Sequence, residues 1–280
     1  MNRAFKRVFI IMFENELESA VLQDDYMRGL QARGVRLSDY HGVTHPSQPN
    51  YVATLTGLPF VTDDTCQDIE ATSAVDLLEA KGVTWKAYME DLPEDDKAVC
   101  ISADTLYFRK HNPFVSLNNI RNNPERLAKI VNAKQLQDDL DAGTFPQFCW
   151  YTPNIQNDGH SPPDASPLHR WSGVEFLSQW LRGFLEPLLA NSGFMKGTLV
   201  IVIFDESLPH ADNHVYAALL GDMVKPGTVE PDRYDHYSLL RTIEENFELG
   251  TLHRNDLTAN WFRFLWGLKP PAFRLADHVQ

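Results

Sequence analysis

The chain has 280 residues, 43% of them hydrophobic, and a formal net charge of -13. This length allows a large core, and we expect residues 1–280 to form a single domain. The acidic balance argues against nucleic-acid binding, because a phosphate backbone is recognised by basic surface.

The first apolar run, residues 8–13, follows basic residues as in a secretory signal peptide. The run is too short for a signal peptide, ends at Glu14 and has no small-residue cleavage site. We therefore expect a buried strand here and a cytoplasmic protein. No other run approaches membrane-spanning length, so stable membrane insertion is not expected.

Strands alternate with helices along the rest of the chain. Residues 7–13 and 198–204 are continuous apolar runs, as expected for strands buried on both faces of a parallel sheet. Weaker strand patterns cover residues 35–40, 83–89, 147–152 and 214–220. Helical patterns cover residues 19–34, 73–81, 124–143 in two pieces, 174–188 and 238–247, with Ser19 and Ser73 as the expected first two N-caps. The predicted fold class is α/β, with a mostly parallel central sheet flanked by helices.

The cysteines Cys66, Cys100 and Cys149 are far apart in sequence, and none belongs to a C-x-x-C pair. Their spacing supports neither a zinc knuckle nor a disulfide framework. Cys149 lies in an apolar run and is expected to be a small core residue.

Residues 44–57 place two prolines around Ser47, before a helix-like run that stops at Gly57. Pro49 suits the first position of a helix, because its missing N–H is not needed there. Ser47 is then expected on the turn just before the helix. Free N–H groups and the helix dipole favour an anion such as phosphate at that position. Ser47 could cap the helix, which is the commoner role, or attack a phosphorus atom.

Oxygen-bearing pairs follow the two strongest strands, Glu14-Asn15 after the first and Asp205-Glu206 after the second. A third strand runs into a loop with Asn154, Asn157, Asp158 and His160. The carboxyl ends of parallel strands share one sheet edge, where ligands bind. Clustered carboxylates repel one another unless they are protonated or share a cation. Their oxygens suit Mg, Mn or Ca, and an added histidine would admit Zn.

A divalent ion beside Ser47 would lower the pKa of its hydroxyl and polarise a phosphoryl oxygen. Histidines could hold the other oxygens or protonate the leaving group, and the candidates are His45, His111, His160, His214 and His236. The absence of G-x-S-x-G around Ser47 disfavours an acyl hydrolase. The absence of a P-loop or G-x-G-x-x-G disfavours a nucleotide site.

Six stretches stand in order: Phe13-Glu14-Asn15, His45-Pro46-Ser47-Gln48-Pro49-Asn50-Tyr51, Lys110-His111-Asn112-Pro113-Phe114, Asn157-Asp158-Gly159-His160, Phe204-Asp205-Glu206 and residues 235–244. Together they resemble the phosphoesterase family of acid phosphatases and phosphatidylcholine-type phospholipases C, within the alkaline-phosphatase-like superfamily. The resemblance extends from residue 8 to about 250 and implies a single phosphoesterase domain with an alkaline-phosphatase-like fold.

The resemblance also implies site roles. One divalent metal ion (Ca, Mg, Mn or Zn) would be bound by Glu14, Asn15, Asp205, Glu206 and the Ser47 oxygen. Ser47 would be the nucleophile that forms a phosphoserine intermediate. His111 and His160 would contact the phosphoryl oxygens and help the leaving group. Asn50 and Asn157 would bind the phosphate or support it, and His214 and His236 would support the site from behind.

The predicted activity is a metal-dependent, acid-phosphatase-like phosphoric monoester hydrolase acting on a small-molecule phosphate ester, with the oligomeric state open. One alternative is a phosphodiesterase of phospholipase C type, and another is a non-catalytic anion- or metal-binding relative. A monoester fits a site with an ion, helix N–H groups and histidines for three oxygens. For a lipid diester, a choline head group could contact aromatic residues by cation–π interaction, although core packing is their commoner role. These aromatic residues are Tyr107, Phe108, Phe114 and Trp171.

Overall fold

The computed structural model describes residues 2–166, 169–170, 172–208 and 212–268. Its strands are β1 (Arg7–Phe13), β2 (Val35–His41), β3 (Trp85–Met89), β4 (Ile130–Asn132), β5 (Phe148–Thr152), β6 (Asp164–Ser166), β7 (His169–Arg170), β8 (Thr198–Phe204), β9 (Ala217–Leu220) and β10 (Thr228–Asp235). Its α-helices are α1 (Glu18–Val21), α2 (Asp25–Arg33), α3 (Ser47–Thr56), α4 (Ala74–Ala80), α5 (Pro113–Ser116), α6 (Asn118–Arg121), α7 (Pro124–Leu127), α8 (Gln135–Asp141), α9 (Gly173–Ala190), α10 (Ser192–Met195) and α11 (His236–Phe247). Short 3-10 turns cover Arg109–His111, Asn255–Leu257 and Arg263–Trp266.

Eight strands form one sheet in the order β10-β2-β9-β8-β1-β5-β3-β4. β9 runs antiparallel to β2 and β8, and the other pairings of this sheet are parallel. The predicted α/β fold with a mostly parallel sheet is therefore confirmed. Within the part of the chain that the structure describes, no helix combines the length and apolarity needed to cross a membrane.

The two strongest strands of the sequence, β1 and β8, are neighbours in the middle of the sheet. They pair residue for residue from Arg7 opposite Thr198 to Phe13 opposite Phe204. All of β8 and all of β1 after Arg7 are buried, which accounts for their apolar sequences. Because the register is unbroken, both strands end at the same level.

Among the described residues, four strands lie where none was predicted. β6 and β7 pair in a separate two-stranded sheet, and β4 and β10 are the two edges of the eight-stranded sheet. β10 alternates exposed and less exposed residues, and its register with β2 shifts between Glu230 and Arg233, around Pro231. Proline and polar residues are tolerated at an edge, because one side of an edge strand has no partner. Edge strands therefore leave a weaker hydrophobic pattern than central ones.

Two of the predicted helix starts have different outcomes. The helix expected from Ser19 is two helices, and α2 is capped by Asp24, whose side chain accepts hydrogen bonds from the N–H groups of Tyr26 and Met27. Ser73 caps α4 as predicted, and Asp76 completes a capping box with it.

Cys66 and Cys100 form a disulfide bond, which corrects the expectation of no disulfide. Their Cα atoms are 5.6 Å apart although they are separated by 34 residues, and sequence spacing does not reveal such a pairing. The Arg109 guanidinium packs beside the bond, 3.4 Å from Cys66 Sγ, and donates to Asp68 at 2.5 Å. Cys149 is a free thiol buried in β5, as predicted.

Replacing both bridged cysteines by serine should lower the free energy of unfolding by about 3–4 kcal/mol, because the bond constrains a long loop in the unfolded chain. Urea denaturation of the wild type, the reduced wild type and the double variant measures the difference. The reduced wild type should match the variant. If the unfolding midpoint of the wild type did not change in a strong reductant, the disulfide assignment would be contradicted.

Glu244 on α11 is buried beside Asp256, and Arg241 Nη1 lies 3.9 Å from its carboxyl group. Burial, followed by the charge of Asp256 and a hydrogen bond with it, raises the pKa of Glu244 from 4.5 to about 9. An acid with a raised pKa contributes stability fully below its unfolded pKa, and that contribution is lost as the pH rises to the folded pKa. The protein should therefore lose stability between these two values.

Glu244→Gln should raise the melting temperature at about pH 8 and reduce its fall with rising pH, because the amide stays uncharged. Thermal unfolding from about pH 5 to about pH 9 measures this, with the exposed Glu125→Gln as the control. Parallel pH curves for wild type and Glu244→Gln would contradict the assignment.

Candidate functional site

The acidic side chains of the site meet because β1 and β8 end together. Glu14 and Asp205 follow the paired residues Phe13 and Phe204. One oxygen from each of Glu14, Asp205 and Glu206 lies within 4.8 Å of the others. We call these three residues the acidic cluster. The structure thus brings together the two pairs that the sequence singled out.

The acidic cluster is buried, with Glu14 and Asp205 fully inaccessible and Glu206 only 2% exposed. Burial, with the charges of Glu14 and Glu206, raises the pKa of Asp205 well above its ordinary value. Burial also raises the pKa of Glu206. For Glu14, burial is the largest influence and acts in the same direction, but the charge and hydrogen bond of His111, together with the charges of Lys110 and His160, outweigh it and lower the pKa to about 2.

The backbone around the cluster supplies some compensation. Asp205 Oδ1 accepts hydrogen bonds from the N–H groups of Asn15 at 3.1 Å and Glu206 at 2.7 Å. Two buried oxygens nearby, Asp205 Oδ2 and Asn15 Oδ1, have no hydrogen-bond partner among the residues that the structure describes. Buried oxygens without a donor are costly, and a hard cation accepts ligands of this type. The residues present therefore fit a divalent metal ion.

α3 begins at Ser47, two residues before Pro49, which was the predicted first residue of the helix. Pro46 is the N-cap, and Pro49 lies within the first turn, where the missing N–H of proline is tolerated. The N-cap position is therefore held by Pro46 and not by Ser47, so the capping interpretation of Ser47 is wrong. Its Oγ lies 3.0 Å from Glu14 Oε2 and 3.1 Å from Glu206 Oε1 and donates toward both. Ser47 is therefore in contact with the acidic cluster.

The loop of residues 42–46 carries the chain from β2 across Asp205 to Ser47. A Cβ atom on Gly42 would lie 2.6 Å from the Asp205 carbonyl oxygen. This approach is closer than any side chain permits, so glycine is required.

Asn50 holds this loop from inside α3. Its Oδ1 accepts hydrogen bonds from the N–H groups of Val43 and Thr44 at 2.9 and 3.1 Å, and its Nδ2 donates to the carbonyl groups of Thr44 and Pro46. Both polar atoms of the amide are thus engaged with backbone. Of the two roles predicted for Asn50, this arrangement favours support of the loop over contact with phosphate.

His111 lies between two carboxyl groups. Its Nε2 is 2.6 Å from Glu14 Oε1, and its Nδ1 is 3.3 Å from Asp158 Oδ2. Burial alone would lower the pKa of His111, but Glu14 and Asp158 raise it to about 9. The Tyr51 ring stacks on the imidazole at 5.1 Å. His111 is therefore a buried cation that offsets the negative charge of the cluster.

His160 is exposed on the loop after β5. Its N–H donates to Asp158 Oδ1 at 2.9 Å, and its Nδ1 lies 2.8 Å from Ser161 Oγ. Its side chain is open to solvent, and a charge on the ring contributes to the lowered pKa of Glu14. His45 contacts Glu206 Oε2 through Nδ1.

The remaining predicted residues occupy different positions. His236 Nε2 lies 2.6 Å from the Asp205 carbonyl oxygen, directly behind the cluster. Asn157 donates from Nδ2 to Glu90 Oε2 at 2.8 Å and so holds a carboxyl group outside the cluster. His214 Nε2 instead lies 3.0 Å from the Ser38 carbonyl oxygen and 3.4 Å from Glu18 Oε2.

Two neighbours of Ser47 were not assigned from the sequence. The Lys110 ammonium pairs with Asp64 Oδ2 at 3.0 Å, and Asp64 Oδ1 accepts the N–H of Gln48 at 2.9 Å. Lys110 could have been found from the sequence, because it directly precedes the candidate His111. Asp64 could not, because the acidic, irregular stretch around it has no recognisable motif.

The aromatic residues considered for a choline head group are mostly inside the core. Tyr107 is 3% exposed and Phe114 is fully buried, so their role is packing. Phe108 is half-buried. Trp171 lies outside the described residues.

Comparison with known proteins assigns the chain to a family. A family model described as Phosphoesterase family matches residues 26–250. This chain belongs to the Phosphoesterase family. A probable acid phosphatase of Kluyveromyces lactis is 36% identical over 271 residues, which are 92% of this chain and 62% of that protein. A phosphatidylinositol-3-phosphatase of Mycobacterium tuberculosis is 28% identical over 252 residues, 88% of this chain and 78% of that protein.

The fold of this Phosphoesterase-family chain is shared with a solved structure from Vibrio parahaemolyticus, a protein in the alkaline phosphatase superfamily. The TM-score is 0.59 at 14% identity, and the match covers 92% of this chain and 70% of that chain. The predicted alkaline-phosphatase-like fold is therefore confirmed. The chain spans about three fifths of the length of its relatives named acid phosphatase, between 58% and 64% of each.

Proposed function

We propose that this chain is a metal-dependent phosphoric monoester hydrolase with Ser47 as its nucleophile. The observation that carries the proposal is the position of Ser47 Oγ, at a helix N-terminus and within hydrogen-bond distance of both Glu14 and Glu206. A serine in that position has a proton acceptor on one side and lies at the positive end of the helix dipole, which favours a bound anion. The names of its relatives, acid phosphatase and phosphatidylinositol-3-phosphatase, support a phosphatase over a phosphodiesterase.

The reaction has two balanced steps. Ser47 Oγ forms a bond to phosphorus as the bond to the ester oxygen breaks, and the hydroxyl proton moves to the Glu14 or Glu206 carboxylate. His160, exposed near the cluster, gives a proton to the leaving alcohol. Water then forms a bond to phosphorus as the bond to Ser47 Oγ breaks, and its proton passes to His160. Ser47 Oγ recovers its proton from the carboxyl group, and phosphate leaves.

One divalent ion would be held by Glu14, Asn15, Asp205 and Glu206, with Ser47 Oγ beside them. The unpartnered oxygens of Asn15 and Asp205 support this ligand set. When bound, such an ion neutralises the carboxylates, lowers the pKa of a serine hydroxyl and polarises a phosphoryl oxygen. The oxygen donors suit Ca, Mg or Mn. His45 beside Glu206 offers an imidazole nitrogen, a ligand that also suits Zn.

Ser47→Ala should reduce turnover of p-nitrophenyl phosphate by about 1000-fold or more, because the nucleophile is lost. Acid quenching during turnover, followed by mass spectrometry, should find a phosphoryl group on the peptide containing Ser47 in the wild type. Ser178→Ala removes another buried hydroxyl, far away on α9, and should retain nearly full activity. Turnover by the Ser47→Ala variant at the wild-type rate would rule out Ser47 as the nucleophile.

Dialysis against a chelator should abolish turnover, and a divalent ion should restore it. The same ion should raise the melting temperature, because binding at about 100 times Kd adds roughly 2.7 kcal/mol. Asp205→Asn should lose this thermal shift. Asp139→Asn, which alters a buried acid paired with Lys86, should keep it. Full turnover after exhaustive chelation would refute the metal requirement.

A further inference from the structure

Lys110 holds a nearly buried charge beside the first turn of α3. Its side chain is 14% exposed and pairs with Asp64 at 3.0 Å. The other oxygen of Asp64 accepts the N–H of Gln48, the residue after Ser47. A single carboxylate therefore connects the ammonium group to the turn that carries the nucleophile.

The charge of Lys110 also acts on the acidic cluster. Burial lowers the pKa of Lys110, but Glu14, Asp64 and Asp205 raise it further than burial lowers it. In turn, the ammonium charge contributes to the low pKa of Glu14. Lys110 also directly precedes His111, whose ring lies 2.6 Å from Glu14. Through Asp64, the ammonium group is held beside the first turn of the helix that begins at Ser47.

An ammonium group has three N–H donors. Among the residues that the structure describes, the hydrogen bond of Lys110 Nζ goes to Asp64. Within the described part of the chain, the other two donors have no protein acceptor. The lysine ammonium is a compact point charge that binds phosphate oxygens.

We propose that Lys110, positioned by Asp64, binds a non-bridging phosphoryl oxygen of the substrate and selects monoesters over diesters. A phosphomonoester carries close to two negative charges at neutral pH, and a diester carries one. A fixed point charge beside the phosphoryl group therefore stabilises the monoester more. The inference rests on the proposed phosphatase activity and adds the residue that sets its substrate class.

The test compares kcat/KM of the metal-loaded enzyme for p-nitrophenyl phosphate and bis-p-nitrophenyl phosphate. Lys110→Met should lower the monoester value by about 10- to 100-fold and the diester value by less than about threefold. Lys110→Arg keeps the charge and should recover much of the loss. Lys86→Met removes another lysine paired with a buried aspartate, Asp139, at 2.6 Å, and should leave the ratio of the two values unchanged.

Asp64→Asn tests the positioning role without removing the ammonium group, and it still offers an oxygen to Gln48. It should raise KM for the monoester more than it lowers kcat, since Lys110 loses its anchor. This variant also serves if Lys110→Met does not fold, as judged by circular dichroism.

Binding of inorganic phosphate, measured by calorimetry, separates this inference from the proposed function. A wild type that hydrolyses neither ester would overturn the phosphatase assignment, yet weaker phosphate binding by Lys110→Met would still support the anion contact. An active wild type whose Lys110→Met variant loses monoester and diester activity equally, or keeps its phosphate affinity, would overturn the role of Lys110.

Discussion

Three carboxyl groups that repel one another at the ends of β1 and β8 are the constraint on which the site depends. The unbroken register of these strands leaves Glu14 and Asp205 side by side, and burial removes the water that would screen them. The surroundings offset this repulsion from several directions. The His111 imidazolium touches Glu14, the Lys110 ammonium lies nearby, and backbone N–H groups donate to Asp205. In the described part of the chain, Asp205 Oδ2 and Asn15 Oδ1 still have no partner, and a cation would coordinate oxygens of this type.

Much of the site could be predicted because it follows from the strongest patterns in the chain. Continuous apolar runs identified β1 and β8, and the geometry of parallel sheets places the residues after such strands at one edge. These two patterns alone were enough to place four residues at that edge: Glu14, Asn15, Asp205 and Glu206. Ser47 could be placed near a helix N-terminus from its prolines, although the helix begins at the serine itself. The contact between Ser47 and the acidic cluster could not be predicted, because it depends on how the loop of residues 42–46 crosses Asp205.

The features that the sequence did not reveal leave no periodic pattern of their own in the chain. The pair of Asp64 and Lys110 has no periodicity on either side, and neither does the stacking of Tyr51 on His111. β4 and β10 were missed because an edge strand needs only one partner. Asn157 was assigned from a short motif, but its amide turns to Glu90. A motif identifies a segment of chain, whereas the direction of each side chain depends on tertiary contacts.

The bridge between Cys66 and Cys100 connects the two irregular segments that carry Asp64 and Lys110. Glu14, Asp205 and Glu206 instead extend from strands held by the central sheet. A reductant would therefore act on one half of the site. The segments that hold the lysine would gain freedom, while the acids at the strand ends would keep their positions. Loss of the bridge would therefore weaken the proposed contact between Lys110 and an anion before it disturbed the proposed cation ligands.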